Sequence, residues 1–95
     1  MTVEELRAEL EKIISGLFSS GFESVDSGTV EKLDKLAASA GDIGMKEGMH
    51  LIGNLSGAMK AIQEGKSKSE SGNIRLTALD FYVKKISGGE NIEDL

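Results

Sequence analysis

The sequence predicts an all-α protein that folds as an antiparallel up-down four-helix bundle. Four segments repeat apolar residues every three or four positions, which is the spacing of one buried helix face. The connections between them are rich in glycine, serine and charged residues, and their length of about four to ten residues suits antiparallel neighbours. No segment alternates apolar and polar residues as a half-buried β-strand does. We therefore expect one helical domain over residues 1–95.

The first helix is predicted at about residues 3–19. Thr2 and Glu5 match the capping-box pattern, in which each side chain binds the other residue's backbone amide. In the loop that follows, Phe22 and Val25 are expected to pack against the core. The predicted apolar stripe of this helix is Val3, Leu6, Leu10, Ile13, Ile14, Leu17 and Phe18.

The second and third helices are predicted at about residues 29–40 and 45–63, hinged at residues 41–44. Gly41 is the expected helix stop, and Gly44 supplies a second unusual backbone angle for the reversal. The inward positions of the second helix are Val30, Leu33, Leu36, Ala37 and Ala40. Those of the third helix are Met45, Met49, Ile52, Leu55, Met59 and Ile62.

Three glycines interrupt the third helix, at Gly48, Gly53 and Gly57. Each costs up to ~1 kcal/mol relative to alanine inside a helix. We expect close packing against a neighbouring helix to be the reason, in preference to a groove for a partner.

The fourth helix is predicted at about residues 73–87, after a solvated polar connection over residues 65–72 that lacks apolar anchors. Residues 88–95 are predicted to be a frayed acidic tail. The apolar residues of this helix are Ile74, Leu76, Leu79, Tyr82, Val83 and Ile86.

A short motif spans the second helix and the turn after it. Residues 34–45 read Asp-Lys-Leu-Ala-Ala-Ser-Ala-Gly-Asp-Ile-Gly-Met. This stretch resembles the motif of histidine-containing phosphotransfer (HPt) domains, in which a helix contains His-x-Leu-Lys-Gly-Ser-Ala and leads through a glycine-hydrophobic turn into the next helix. The resemblance extends over roughly residues 30–86. The matching positions are Leu36, Ser39, Ala40, Gly41, Ile43, Gly44 and Met45.

Two features of the HPt motif are missing. Asp34 stands where the family has its phosphoaccepting histidine, and Ala37 and Ala38 replace its lysine-glycine pair. Phosphotransfer of this kind needs a nitrogen nucleophile with a pKa near neutrality. The resemblance therefore implies an HPt-like fold that does not transfer phosphate.

The leading hypothesis is a binding module and not an enzyme. The resemblance implies a signalling protein of a two-component phosphorelay that docks a receiver domain or a histidine kinase. Docking is expected on the outer face of the second helix, where small residues allow close approach and Asp34 provides a fixed negative charge. The predicted partner-binding residues are Glu31, Asp34, Lys35, Ala38, Gly41 and Asp42.

Two alternatives stay open. In the first, the chain is an active phosphotransfer protein that uses His50, its only histidine, with Lys46 one turn before it. A surface histidine without such a role is the simpler interpretation. In the second, the chain is a structural or self-associating helical bundle, unrelated to phosphorelays, that forms a homo-oligomer through its third helix.

Composition excludes several other classes. Cysteine is absent, which excludes disulfides and thiolate metal sites. The net charge of −5, with lysines interleaved among acidic residues, argues against a nucleic-acid partner. The N-terminus is charged, and no apolar run approaches the ~18 residues that a membrane span needs. We expect a cytoplasmic protein without a cofactor or a metal.

Overall fold

The computed structural model describes residues 1–22 and 27–87, and these residues form four α-helices and no β-strand. Consecutive helices contact each other, and α1 also contacts α4, which closes the ring. The predicted all-α, antiparallel four-helix bundle is therefore confirmed. The predictions made for Val25 and for the tail at residues 88–95 fall outside the described residues. The helices are α1 (Val3–Ser20), α2 (Ser27–Asp42), α3 (Lys46–Gln63) and α4 (Ser69–Ser87).

The start of α1 has the predicted capping box. The Glu5 amide donates to Thr2 Oγ1 at 3.1 Å, and the Thr2 amide donates to Glu5 Oε1 at 3.0 Å. The prediction for the apolar stripe is wrong at its two ends, because Val3 and Phe18 are exposed. Phe18 follows the buried Leu17 and so points about 100° away from it. Its side chain is 58% exposed.

The turn between α2 and α3 is shorter than predicted. Helix α2 begins at Ser27 and continues through Gly41 to Asp42, so Gly41 is not the helix stop. Gly44, with φ of 85°, is the left-handed residue of a Schellman motif. The Met45 amide donates to the Ala40 carbonyl at 2.8 Å, and the Gly44 amide donates to the Gly41 carbonyl at 3.1 Å. One left-handed residue is enough to end the helix, which leaves Gly41 helical.

Helix α4 begins four residues earlier than predicted, at Ser69, so the expected polar connection is wrong for residues 69–72. Gly72 is buried, and a Cβ there would lie 2.8 Å from the Phe22 ring and 2.9 Å from the Ile62 methyl group. Phe22 is buried as predicted. These tertiary contacts anchor a segment that is polar by composition.

The buried residues form one hydrophobic core to which all four helices contribute. The stripes predicted for α2 and α3 supply most of its middle, and Met45 and Met59 fill it as expected. Ile74, one of the apolar residues predicted for α4, is exposed. The largest fully buried apolar side chains are Leu6, Leu10, Leu33, Ile52, Leu55, Met59, Leu76, Leu79 and Val83.

The prediction that the α3 glycines allow close packing holds for only one of them. A Cβ on Gly48 would lie 3.0 Å from the Tyr82 hydroxyl and 3.1 Å from its ring. Gly53 and Gly57 are exposed, and nothing lies within 4 Å of a Cβ placed on either. Packing therefore accounts for Gly48 and not for the other two. None of the described helices is both long and apolar enough to cross a lipid bilayer.

Candidate functional site

The six residues predicted as a docking surface share one side of α2. Their spacing places them within about 120° of one another around the helix, away from the buried residues Leu33, Leu36 and Ala40. The exposed members are Glu31, Asp34, Lys35, Ala38 and Asp42, and Gly41 is half-buried.

The two edges of this surface have different neighbours. Lys35 borders a shallow groove of about 380 Å³ between α1 and α2. On the opposite edge, a Cβ on Gly41 would lie 2.8 Å from Met49 Sδ in α3. Gly41 therefore serves the packing of α2 on α3, and Ala38 occupies the open middle of the surface.

Asp34 links α2 to α3. Its side chain is 48% exposed, yet both carboxylate oxygens have partners in the neighbouring helix. The Ser56 hydroxyl donates to Asp34 Oδ1 at 2.6 Å, and Lys60 Nζ donates to Oδ2 at 3.0 Å. Ser56 is itself only 1% exposed. The carboxylate thus stands at the outer rim of the interface between the two helices.

These partners set the charge state of Asp34. The hydrogen bond from Ser56 and then that from Lys60 lower the pKa of the Asp34 carboxyl, against a smaller opposing effect of burial. The group is therefore ionised at neutral pH. The fixed negative charge expected from the sequence is present at the surface, but the Lys60 ammonium group balances part of it.

Ser56 and Lys60 were not singled out from the sequence, although the antiparallel register contains a signal for Ser56. Asp34 and Ser56 each lie eleven residues from Met45, and Gly41 and Met49 each lie four residues from it. In an antiparallel pair that reverses at Met45, such residues come to the same level. That count would have placed Ser56 beside Asp34.

The surface continues onto α3. Gly53, Gly57 and Lys60 follow one another at spacings of four and three, so they share one side of α3, and Lys60 contacts Asp34. His50 is exposed one turn before Gly53. We call the surface formed by Asp34, Ala38, Gly53, Gly57 and Lys60 the α2–α3 face. It offers two short stretches of bare helix backbone beside a paired carboxylate.

The Asp34 carboxylate and the Lys60 ammonium group on this face form hydrogen bonds and an ion pair. Within residues 1–22 and 27–87, no group of three or more histidine and acidic side chains is placed to hold a metal ion. The arrangement can contact a flat surface closely, because the glycines and Ala38 project little beyond the backbone.

Comparisons with protein-family models, with curated proteins and with solved structures give no significant match for this chain.

Proposed function

We propose that this protein is an HPt-like binding module that docks a receiver domain or a histidine kinase through the α2–α3 face without transferring phosphate. The observation that supports this most is the position of Asp34. It lies exposed on the outer side of an antiparallel helix pair, at the position that the resemblance assigns to the phosphoacceptor. A carboxylate at that position marks the docking surface without supplying the nucleophile.

The neighbours of Asp34 suit the approach of another protein. Ala38 lies one turn after it on α2, and Gly53 and Gly57 leave α3 without side chains on the same surface. Since Lys60 is paired with Asp34, a partner that covers this region does not desolvate an isolated charge. Small residues with a paired charge favour a flat protein surface over a small-molecule ligand.

Titration with receiver domains and histidine kinase domains from the same genome tests the proposal. Chemical-shift changes in the backbone amides of the ¹⁵N-labelled protein are expected to map to α2 and α3. Ala38→Arg puts a long side chain on an exposed position and is expected to weaken binding at least about tenfold. Ser15→Arg, at an exposed position of α1, is the matched control and is expected to bind as the wild type does.

Two results would count against this proposal. One is the absence of binding to any domain of either class. The other is binding whose shift changes lie outside α2 and α3 and that Ala38→Arg leaves intact.

Active phosphotransfer through His50 remains a second candidate because of one observation. His50 is exposed on α3, and Gly53 one turn later leaves the imidazole unshielded on that side. Incubation with a phosphorylated receiver domain separates the two proposals. We expect no acid-labile label on this protein, whereas label that disappears in His50→Ala would establish the second candidate.

A further inference from the structure

Helix α4 has a second apolar face that its own bundle does not cover. Ile74 is 67% exposed and Phe81 is 64% exposed. Phe81 lies two residues from both Leu79 and Val83, which are buried, so it points about 160° away from them. A helix needs only one apolar side to pack against a single core, and α4 has two.

The side chains of this face are arranged along one line, and all are exposed except Lys85, which is half-buried. Glu70, Ile74, Ala78, Phe81 and Lys85 follow at spacings of four, four, three and four, which keeps them on one side of a helix. We call this line the α4 stripe. Lys85 Nζ lies 5.2 Å from the centroid of the Phe81 ring, so its ammonium group is held along the stripe.

A groove of about 490 Å³ runs beside the stripe, between α3 and α4. Leu51 of α3 is half-buried along its edge, and Ile74, Ala78 and Phe81 line the α4 side. The apolar surface therefore continues from α4 onto α3. The stripe is distinct from the α2–α3 face, which lies on another side of the bundle.

The order of residues in the stripe is symmetric about its centre. Ile74 lies three residues before Thr77, and Phe81 lies three residues after Ala78. Glu70 lies seven residues before Thr77, and Lys85 lies seven residues after Ala78. In a helix turned end to end about this centre, the acidic residue takes the position of the basic one. The two large apolar side chains likewise take each other's positions.

We propose that the occupant of the α4 stripe is a second copy of this chain, docked antiparallel through its own α4. A two-fold axis between Thr77 and Ala78 sets Ile74 of each copy against Phe81 of the other. The same axis sets Glu70 of each copy near Lys85 of the other. In such an interface each contact occurs twice, which is what a two-fold dimer requires.

Charge complementarity selects the antiparallel copy over the parallel one. A parallel pair in register would place Glu70 beside Glu70 and Lys85 beside Lys85, and like charges opposed in this way are unfavourable. The stripe runs over sixteen residues, from Glu70 to Lys85, and is about 22 Å long. One helix pair of this length forms an interface at the small end of the range, so the dimer is weak and reversible.

Sedimentation velocity over roughly 10 μM to 1 mM tests the proposal, because weak dimers dissociate in this range. We expect the wild type to shift from monomer to dimer as concentration rises. Phe81→Ala is expected to raise the dissociation constant at least about tenfold, since exposed aromatic residues are frequent anchors of interfaces. Phe18→Ala removes another exposed phenylalanine, from α1, and is expected to leave the dissociation constant unchanged.

Charge exchange identifies the orientation. Glu70→Lys and Lys85→Glu are each expected to weaken self-association, because each opposes like charges twice across the axis. An equimolar mixture of the two variants, and the double variant, are both expected to restore it. Circular dichroism of each variant checks that the helices are intact.

A wild type that stays monomeric up to the highest concentration overturns the proposal. Loss of the dimer in Phe18→Ala but not in Phe81→Ala overturns it as well. Failure of the mixed variants to associate rejects the antiparallel arrangement. Because the α2–α3 face is not involved, these outcomes leave the docking proposal as it stands.

Discussion

The three glycines of α3 do not share one structural role. They are Gly48, Gly53 and Gly57. A Cβ on Gly48 would lie only 3.1 Å from the ring of Tyr82, which is buried. A Cβ on Gly53 or on Gly57 would meet no other helix within 4 Å. Burial raises the pKa of the Tyr82 hydroxyl, and the charge of Glu47 raises it further. A Cβ on Gly48 would therefore have to displace a buried ring.

Alanine substitutions at two of these positions are therefore expected to change the free energy of unfolding in opposite directions. Gly53→Ala should raise the free energy of unfolding by about 0.5–1 kcal/mol, because alanine is the better helix former and the site is open. Gly48→Ala gains the same helix propensity, but overpacking against Tyr82 typically costs about 1–3 kcal/mol. We therefore expect its free energy of unfolding to fall by roughly 1 kcal/mol. Urea unfolding of both variants beside the wild type measures this, and a gain at both sites would contradict it.

The helix pair α2 and α3 is defined by its turn and by the Asp34 contact. Gly44 takes the left-handed conformation that ends α2, and the buried Ala40 and Met45 come together across the motif. Eleven residues from Met45 in each direction, Asp34 meets Ser56. The turn sets the register, and the Asp34 carboxylate ties the two helices together from the middle of α2.

This contact makes the stability of the pair depend on pH. The pKa of Asp34 is lower in the folded chain than in the unfolded chain, so the folded state is stabilised at pH 7. That contribution begins to disappear as pH falls below about 4, the ordinary aspartate range, and is lost once pH passes the lowered folded pKa. Because the side chain is about half exposed and screened by solvent, we expect no more than about 1 kcal/mol.

Asp34→Asn isolates this contribution. Its free energy of unfolding should lie below that of the wild type at pH 7, and the gap should shrink at pH 3. Urea unfolding of both proteins at the two pH values measures the gap. Glu5 and Glu9, whose pKa values are also lowered by local partners, are unchanged in both proteins and cancel in the comparison. A gap of equal size at both pH values would show that the Asp34 charge is not involved.

The four helices are not held equally. The interface of α2 with α3 is the most extensive, that of α3 with α4 is next, and α1 rests on α2 and α4 through smaller ones. An ion pair of 2.7 Å between Glu9 and Lys32 bridges α1 and α2 at the surface, where such pairs contribute little. Helix α1 therefore has the least extensive interfaces of the four helices, although its buried side chains belong to the same core.

Native-state hydrogen exchange should report this difference. Amides in the middle of α1, such as those of Leu10 and Ile13, are expected to exchange through openings that cost less free energy than those of Ile52 and Leu55 in α3. Added urea should bring the two groups together only near the global transition. Equal protection of α1 and α3 in the absence of denaturant would show instead that the bundle opens as one unit.

Much of the fold follows from the spacing of apolar residues alone, and the predictions that were wrong have a common cause. The stripes of α2 and α3 were predicted correctly because apolar side chains at intervals of three and four form one buried side in any helix of this kind. The capping box at Thr2 is equally local. The start of α4 was missed because Ser69 to Gly72 are polar, and only contact of Gly72 with Phe22 and Ile62 shows why they are helical.

The candidate surface shows the same division. Exposure of Asp34 and Ala38 could be predicted from α2, since a buried stripe implies an outer side. Pairing of Asp34 with Ser56 and Lys60 could not be read from α2, because those groups come from another helix. Exposure of Phe81 likewise depends on where α3 and α1 leave α4 uncovered.

Local periodicity was enough to establish four amphipathic helices, their order and the outward side of α2, because these depend on residues a few positions apart. It could not establish which glycines are packed, which carboxylate is paired or which apolar side chains stay in solvent. Those properties depend on atoms that neighbouring helices bring from about twenty to fifty residues away. Only the packed bundle, in which those helices have definite positions, decided them.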